Sequence, residues 1–423
     1  MIVGLAHGQE ALWSPLAGQA AAQALRNSVA GQAAAEARRV RPESLPYTFK
    51  SGDFRLLVTP SLGLDWNDNI NLSESNAQQD FILRPLLRLN ASYPVTDRNL
   101  LSFTVGVGYE KYFEHDDLSD WVVLSGSELS FDVYIKDFWI NLHDRFSYTQ
   151  DPAAQADVAN TAQYVVINNT AGLLTTWDLE DVTLSLGYDH ENVWYPKQQF
   201  ESQDRATEMF VGRAGLRVHP RVTTGVEGTV ALTSYDQLVL NDNTGYSAGV
   251  YADWQPGPFF RVQPRVGYAI YQFQQTSQKG FQQVGQPVRT SDVNSWYAGL
   301  NVTHRLTDAV SYSLDAGHEV RLGTQADAVE DSYVRANVNW SIVKNLTLTT
   351  SLFYEHGDQG QGNVTGNLTE TYDWYGGALG LSHPLTKRLA LSLNYRLTLR
   401  SSDSPDQGYT QNLVGLLLTY KIP

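Results

Sequence analysis

From residue 53 to the C-terminus the chain alternates, residue by residue, between an apolar and a polar face. In the first such stretch Phe54, Leu56, Val58, Leu62, Leu64 and Trp66 share one parity, and Arg55, Thr59, Ser61, Gly63 and Asp65 share the other. After a polar run over 67–80, Phe81, Leu83, Leu87, Leu89 and Tyr93 alternate with Arg84, Arg88, Asn90 and Ser92. A period of two gives a strand with one greasy and one wet face, and these segments are long for a soluble sheet. If the hairpin repeats to the end of the chain, the sheet is a barrel turned inside out, with lipid outside and water inside.

The hairpin does repeat. Short connections fall near 93–98, 135–137, 178–181, 219–221, 255–258, 306–309, 342–344 and 384–387. Long polar stretches separate them near 67–80, 110–120, 150–162, 191–205, 235–244, 274–291, 319–331, 355–370 and 401–407. Eight turns and nine loops require about eighteen strands, an even number with both ends on the turn side. The expected fold is therefore all-β: a transmembrane, antiparallel, up-and-down β-barrel of about 18 strands. A soluble sandwich or propeller would show shorter strands with turn signals every 8–12 residues or so. One irregularity stands out: Asp144 interrupts the apolar row Phe138, Ile140, Leu142 and Phe146, which predicts a bulge or a shifted register there.

Composition fits such a barrel. No run is long and apolar enough for a membrane helix, yet 42% of the residues are hydrophobic, as expected when half of each strand faces the lumen. The chain holds 23 Tyr and 10 Trp, which suits aromatic girdles at the two membrane surfaces. It holds 0 Cys, compatible with passage through an oxidising periplasm. A formal charge of -15 argues against nucleic acid as a partner.

Three regions follow from this pattern. Residues 1–8 read as the remnant of a signal peptide, 9–52 as a periplasmic helical segment and linker, and 53–423 as the barrel. Within the second, Ser14 is an N-cap candidate with Pro15 behind it, and an Ala-rich body runs to Arg39. This Ala-rich segment, 14–39, reads either as a partly ordered tail or as a plug or docking helix for a periplasmic or neighbouring-subunit partner.

The wet parity carries arginines at neighbouring positions. Arg55, Arg84 and Arg88 lie on the first hairpin, and Arg213, Arg217, Arg221, Arg261 and Arg265 in the middle. Arg305, Arg335 and Arg396 follow. As a ladder they would offer paired donors to the carboxylate or phosphate of a passing anion. Equally, they could pair with lumen Glu128, Asp132, Glu227, Asp253 and Asp315 and stiffen the barrel. The loops have the opposite sign. Glu114, Asp116, Asp117 and Asp120 cluster with Glu110 in one loop, and Glu319, Asp327, Glu330 and Asp331 in another. Such clusters read as a solvated acidic surface or as oxygen ligands for Ca²⁺ bridging to lipopolysaccharide, so the metal remains open. No histidine shares a strand face with a serine and a carboxylate as a nucleophilic site requires, so no enzyme and no cofactor are expected.

Two stretches carry likenesses. The final strand, NLVGLLLTYKI, resembles the C-terminal assembly signal of outer-membrane barrels, although Leu413 and Pro423 stand where a polar and an aromatic residue are usual. That implies the barrel assembly machinery as a partner, with outer-membrane lipid and lipopolysaccharide around the product. The run PSLGLDWNDNINLS followed by DFILRPLLRLNASYP resembles the start of the Putative beta-barrel porin 2 type of outer-membrane protein, which includes barrels found with exopolysaccharide production systems. Trp66, Asn67, Asp68, Asn69 and Ile70 match its first loop, and Asp80 and Pro85 its second strand. The resemblance implies a porin-like aqueous pathway for solutes, anionic ones included, in the bacterial outer membrane. Export of an acidic exopolysaccharide is the alternative use, and a structural or adhesive barrel with a blocked lumen is a third.

Overall fold

A computed structural model describes residues 46–422 apart from 238, 275–291, 325, 344 and 362–368. The signal remnant, the segment over 14–39 and nearly all of the loop over 274–291 lie outside these residues. The elements are strands almost throughout: β1 (Phe49–Ser51), β2 (Phe54–Asn67), β3 (Asp80–Pro94), β4 (Leu100–Tyr112) and β5 (Asp120–Ile135). They continue with β6 (Phe138–Thr149), β7 (Val166–Leu179), β8 (Val182–Trp194), β9 (Arg205–His219) and β10 (Val222–Tyr235). Next come β11 (Asn243–Gly257), β12 (Phe260–Phe273), β13 (Val293–Arg305), β14 (Val310–Arg321) and β15 (Ala328–Val343). The last are β16 (Leu346–Gln361), β17 (Glu370–Pro384), β18 (Leu389–Ser402) and β19 (Tyr409–Tyr420).

Each strand from β2 to β19 pairs antiparallel with the next, and β19 pairs back on β2 from Leu413↔Asn67 to Thr419↔Ser61. The result is a closed 18-strand barrel, with the short connections where the alternation put them, while the polar stretches over 319–331 and 355–370 lie partly in strand. Three of the two-residue turns carry a left-handed residue: Lys136 (φ 54°), Glu180 (φ 66°) and Asn345 (φ 75°). That conformation matches the twist of the flanking strands. The closing seam stops at Ser61 because Pro60 follows it with no N–H to donate. There β1 takes over, pairing Phe49 to Ser51 with Leu56 to Phe54.

Side-chain alternation decides inside from outside. Leu62, Leu64, Phe81, Leu87, Leu101, Phe103 and Leu129 are exposed on the outer surface, and their neighbours in sequence face the lumen. In water such a surface would be an aggregation site; in a bilayer it is the lipid belt. Aromatic pairs sit at its two edges. Phe138 stacks on Trp177 at 5.0 Å beside the short turns, and Tyr109 meets Trp121 edge-on at 5.4 Å towards the long loops. The chain is thus a bacterial outer-membrane barrel, short turns in the periplasm and long loops outside.

The irregularity expected at Asp144 lies one strand away. β6 keeps its register, and β5 takes up extra residues between Val123 and Ser127 against both neighbours. Gly126, at φ 90°, makes the bulge possible, since a side chain there would be strained. Asp144 itself points outward and accepts a hydrogen bond from Asn169 Nδ2 at 2.8 Å.

Candidate functional site: the barrel lumen

The extracellular half of the lumen is organised by the loop joining β6 to β7, residues 150–165. It folds inward and reaches the far wall. Asp151 accepts from Arg396 Nη1 at 2.7 Å, and Arg400 Nε donates to the Ala156 carbonyl at 2.7 Å. Asp157 Oδ2 accepts from Arg321 Nη1 at 3.2 Å and from the Thr324 amide at 2.8 Å. Between these polar anchors Ala153 and Ala156 pack with Leu72, Phe353, Tyr372, Trp374 and Tyr409. The local reason is legible: Asp151 caps the turn Pro152–Ala154 by accepting from the Ala153 amide, and small residues let the loop lie flat on the wall.

Both loop carboxylates are charged anchors. Burial pushes the Asp157 carboxyl upward, but the Arg321 guanidinium and the Thr324 donors outweigh it and hold the group below the usual carboxylate range. Asp151 behaves the same way, with burial opposed by Arg396 and Arg84 and by the Ala153 amide. Residues 150–165 thus form an inward loop among the described residues, where the alternation placed a long polar stretch over 150–162.

Most of the arginine ladder is neutralised. Arg84 is clasped between Asp65 and Glu110, with Nε 2.9 Å from Glu110 Oε1, and Gln150 Nε2 donates to the same carboxylate at 2.8 Å. Arg213 Nε lies 3.3 Å from Glu227 Oε2, an ion pair without hydrogen-bond alignment, while its guanidinium sits 3.8 Å over the Tyr251 ring. Arg261 makes a forked contact with Asp253, its Nε 2.9 and 3.1 Å from the two oxygens. Arg265 reaches Glu319 at 3.8 Å, and Arg335 reaches Glu355 at 3.3 Å and Asp315 at 3.9 Å. Arg145 faces Glu128 at 3.5 Å. Four of the five carboxylates expected as structural partners thus hold an arginine; Asp132 instead accepts from Trp139 Nε1 at 3.1 Å and Asn141 Nδ2 at 2.8 Å. Arg55 is buried near the start of β2 with Nε and Nη1 unsatisfied, and Arg88 faces the lumen half-buried.

The periplasmic end differs. A cavity of about 710 Å³ opens along the inner wall from β5 to β12, lined by Arg213, Arg217, Arg221, Arg261, Tyr134, Trp139 and Tyr251, with Asp137, Asp178 and Glu180 at the turns. Arg261 is cancelled by Asp253, but Arg217 is exposed and has no carboxylate partner among the described residues. The Arg221 guanidinium donates to the Pro256 carbonyl, at 2.7 Å. Arg217 and Arg221 thus stand without an ion pair among the described residues, in a vestibule whose turns also carry Lys136, Asp137, Asp178 and Glu180.

The acidic loop cluster is dispersed into separate contacts. Asp116 pairs with Lys111 and accepts from Ser119 Oγ at 3.1 Å; the Lys111 hydrogen bond, then that of Ser119, holds its carboxyl below the usual range. Asp120 accepts from Tyr148 and from the Trp121 amide, and Glu114 and Asp117 lie beside them in the same loop. Glu110 turns inward to Arg84 instead of joining the loop cluster. Among the described residues no group of three or more His, Cys, Asp or Glu is placed to hold a metal ion. In the second acidic stretch Glu319, Glu330 and Asp331 belong to β14 and β15. Strands that project beyond the membrane can carry polar groups on both faces, so the polar run there extends past the loop into both strands.

Alternation missed Arg321 and Arg400, two of the three arginines that pin the inward loop, and their carboxylates Asp157 and Glu370, the latter 2.7 Å from Arg400 Nη2. The signal was available in the loop itself, whose Ala153, Ala154, Ala156, Val158, Ala159 and Ala162 are too apolar for an extracellular loop in water.

The family model described as Putative beta-barrel porin 2 matches residues 46–422. No curated protein matches the sequence. Among solved structures, Pseudomonas aeruginosa OccK11 (OpdR) aligns at 12% identity and TM-score 0.44, covering 88% of this chain and 96% of its own. Acinetobacter baumannii OccAB3 aligns at 9% and 0.47 over 88% and 100%, and P. aeruginosa OccK2 (OpdF), solved in complex with glucuronate, at 10% and 0.47 over 87% and 98%.

Proposed function

Since this chain belongs to the Putative beta-barrel porin 2 family, we propose that its lumen is a water-filled pathway for small solutes with a preference for anions. The observation that carries the anion preference is Arg217: an exposed guanidinium in the periplasmic vestibule, with Arg221 four residues along and no carboxylate on it among the described residues. A cation in that position raises the local concentration of anions and lowers the barrier to their passage. The paired arginines above it serve chiefly to stiffen the wall, because each already has its counter-charge. Reversal potentials across planar bilayers in a salt gradient test the reading: the native protein favours the anion, and Arg217→Ser with Arg221→Ser moves the potential towards the cation side. An unchanged potential in that variant overturns it.

A second reading has its own observation. The loop over 150–165, pinned to Arg321, Arg396 and Arg400, favours a resting lumen that is narrowed on its extracellular side. Deleting 152–160 should then raise single-channel conductance. Nothing among the described lumen residues favours export of an acidic exopolysaccharide over diffusion of small solutes.

A further inference from the structure

The outer face of β6 to β9 departs from a lipid belt. The outward row of β6 runs Leu142, Asp144, Phe146, and Leu142 and Phe146 are both exposed. In register beside Asp144 stand Leu129 on β5 and Ala171 on β7. The carboxylate is thus surrounded by apolar outward neighbours on its own strand and across it, with Asn169 as its hydrogen-bond partner. Ala171 registers with His190 on β8, whose Nδ1 lies 2.8 Å from Glu208 Oε1 on β9. Asp144, Asn169, His190 and Glu208 therefore form a polar stripe across the outer surface.

The far side of the barrel shows what an ordinary belt edge looks like. There His356 meets Asp373 at 2.9 Å, and the next outward positions towards the loops, Asp358 and Thr371, are polar. That pair lies where lipid gives way to water. Asp144 does not, because Phe146 stands exposed directly beyond it on the loop side, whereas beyond His190 the next outward position is Asn192. A carboxylate bracketed in this way meets hydrocarbon if the barrel stands alone, and lipid tails offer it no donor.

We propose that this face is the contact between two copies of the chain. The Asn169 amide is spent on Asp144 and the Arg145 carbonyl, so the stripe offers the Nε2 edge of the His190 ring as donor and Asp144 and Glu208 as acceptors, which a two-fold axis sets against one another. The flanking Leu142 and Phe146 supply the apolar surround that excludes lipid from the polar contacts.

The native chain has 0 cysteines, so single cysteines report position cleanly. Leu173→Cys on β7 and Leu142→Cys on β6 place a thiol beside the stripe; Leu379→Cys on β17 is the control on the other side. Intact outer membranes are treated with a short bis-maleimide, and heat-modifiable gel mobility confirms that each barrel is folded. The expected result is a band of twice the chain mass from Leu173→Cys or Leu142→Cys and none from Leu379→Cys. Adding Asp144→Leu and Asn169→Leu should abolish that band while the barrel stays folded. The proposal is overturned by absence of the band at both stripe positions, by equal cross-linking at Leu379→Cys, by a product of another mass, or by a band that survives the double leucine change.

Discussion

The two ends of this lumen differ in how completely their arginines are matched. Towards the loops, Arg84, Arg321, Arg396 and Arg400 are nearly or wholly buried, and each is matched to a carboxylate: Asp65 and Glu110, Asp157 and Glu355, Asp151, and Glu370. Towards the periplasm, Arg217 stands in the open vestibule unmatched. A matched arginine holds the wall and the inward loop in place, while an unmatched one presents its field to whatever passes. Arginines on the wet face of one barrel thus divide into fasteners and contacts according to whether a carboxylate shares their height on the wall.

The comparison can be broken most forcefully at the fasteners. Deleting 152–160 removes the bridge between Asp151, Asp157 and the far wall, and single-channel conductance should rise several-fold with ion preference unchanged. A conductance equal to that of the native protein would mean that the loop does not limit the pathway. Next in size is Arg84→Ser, which leaves Asp65 and Glu110 buried without their cation. The expected loss is about 3–5 kcal/mol of stability, read from denaturant-induced unfolding in detergent or lipid. If the loss is small, Arg84 is not a fastener.

Acid should separate the two ends as well. Asp151 and Asp157 have carboxyls held below their ordinary value of 3.8, so their anchoring is fully present above that value and is lost as pH falls through the lower folded one. Conductance should therefore be flat from neutral pH down to about the ordinary carboxylate range and rise only below it, as the loop comes free. A rise already near pH 6 would point to a histidine instead of these two carboxylates.

Much of this was legible in the alternation, and the exceptions share a cause. Parity assigns a residue to the inside or the outside, and loop length assigns it to one side of the membrane, so the turns and the outward rows could be read strand by strand. Parity does not give height, nor does it say which wall faces which. Asp151 and Arg396 are 245 residues apart in sequence and meet only because a loop crosses the lumen. The bulge around Gly126 was sensed at Asp144 and misplaced by one strand, because an outward carboxylate and a register shift look alike in a string of alternating residues.

The smallest expected effect is the one that tests the contact end. Arg217 makes no ion pair among the described residues and is exposed, so Arg217→Ser should leave stability within about 0.5 kcal/mol of the native protein. Its charge acts through solvent, and screening shortens its reach from about 10 Å at 0.1 M salt to about 3 Å at 1 M. The shift in reversal potential between native and Arg217→Ser barrels should therefore be clear at low salt and should vanish at high salt. The Arg84→Ser loss, made by a buried pair, should persist at both. A salt-insensitive shift at Arg217 would mean that the residue shapes the vestibule sterically, and the division between fasteners and contacts would fail at that position.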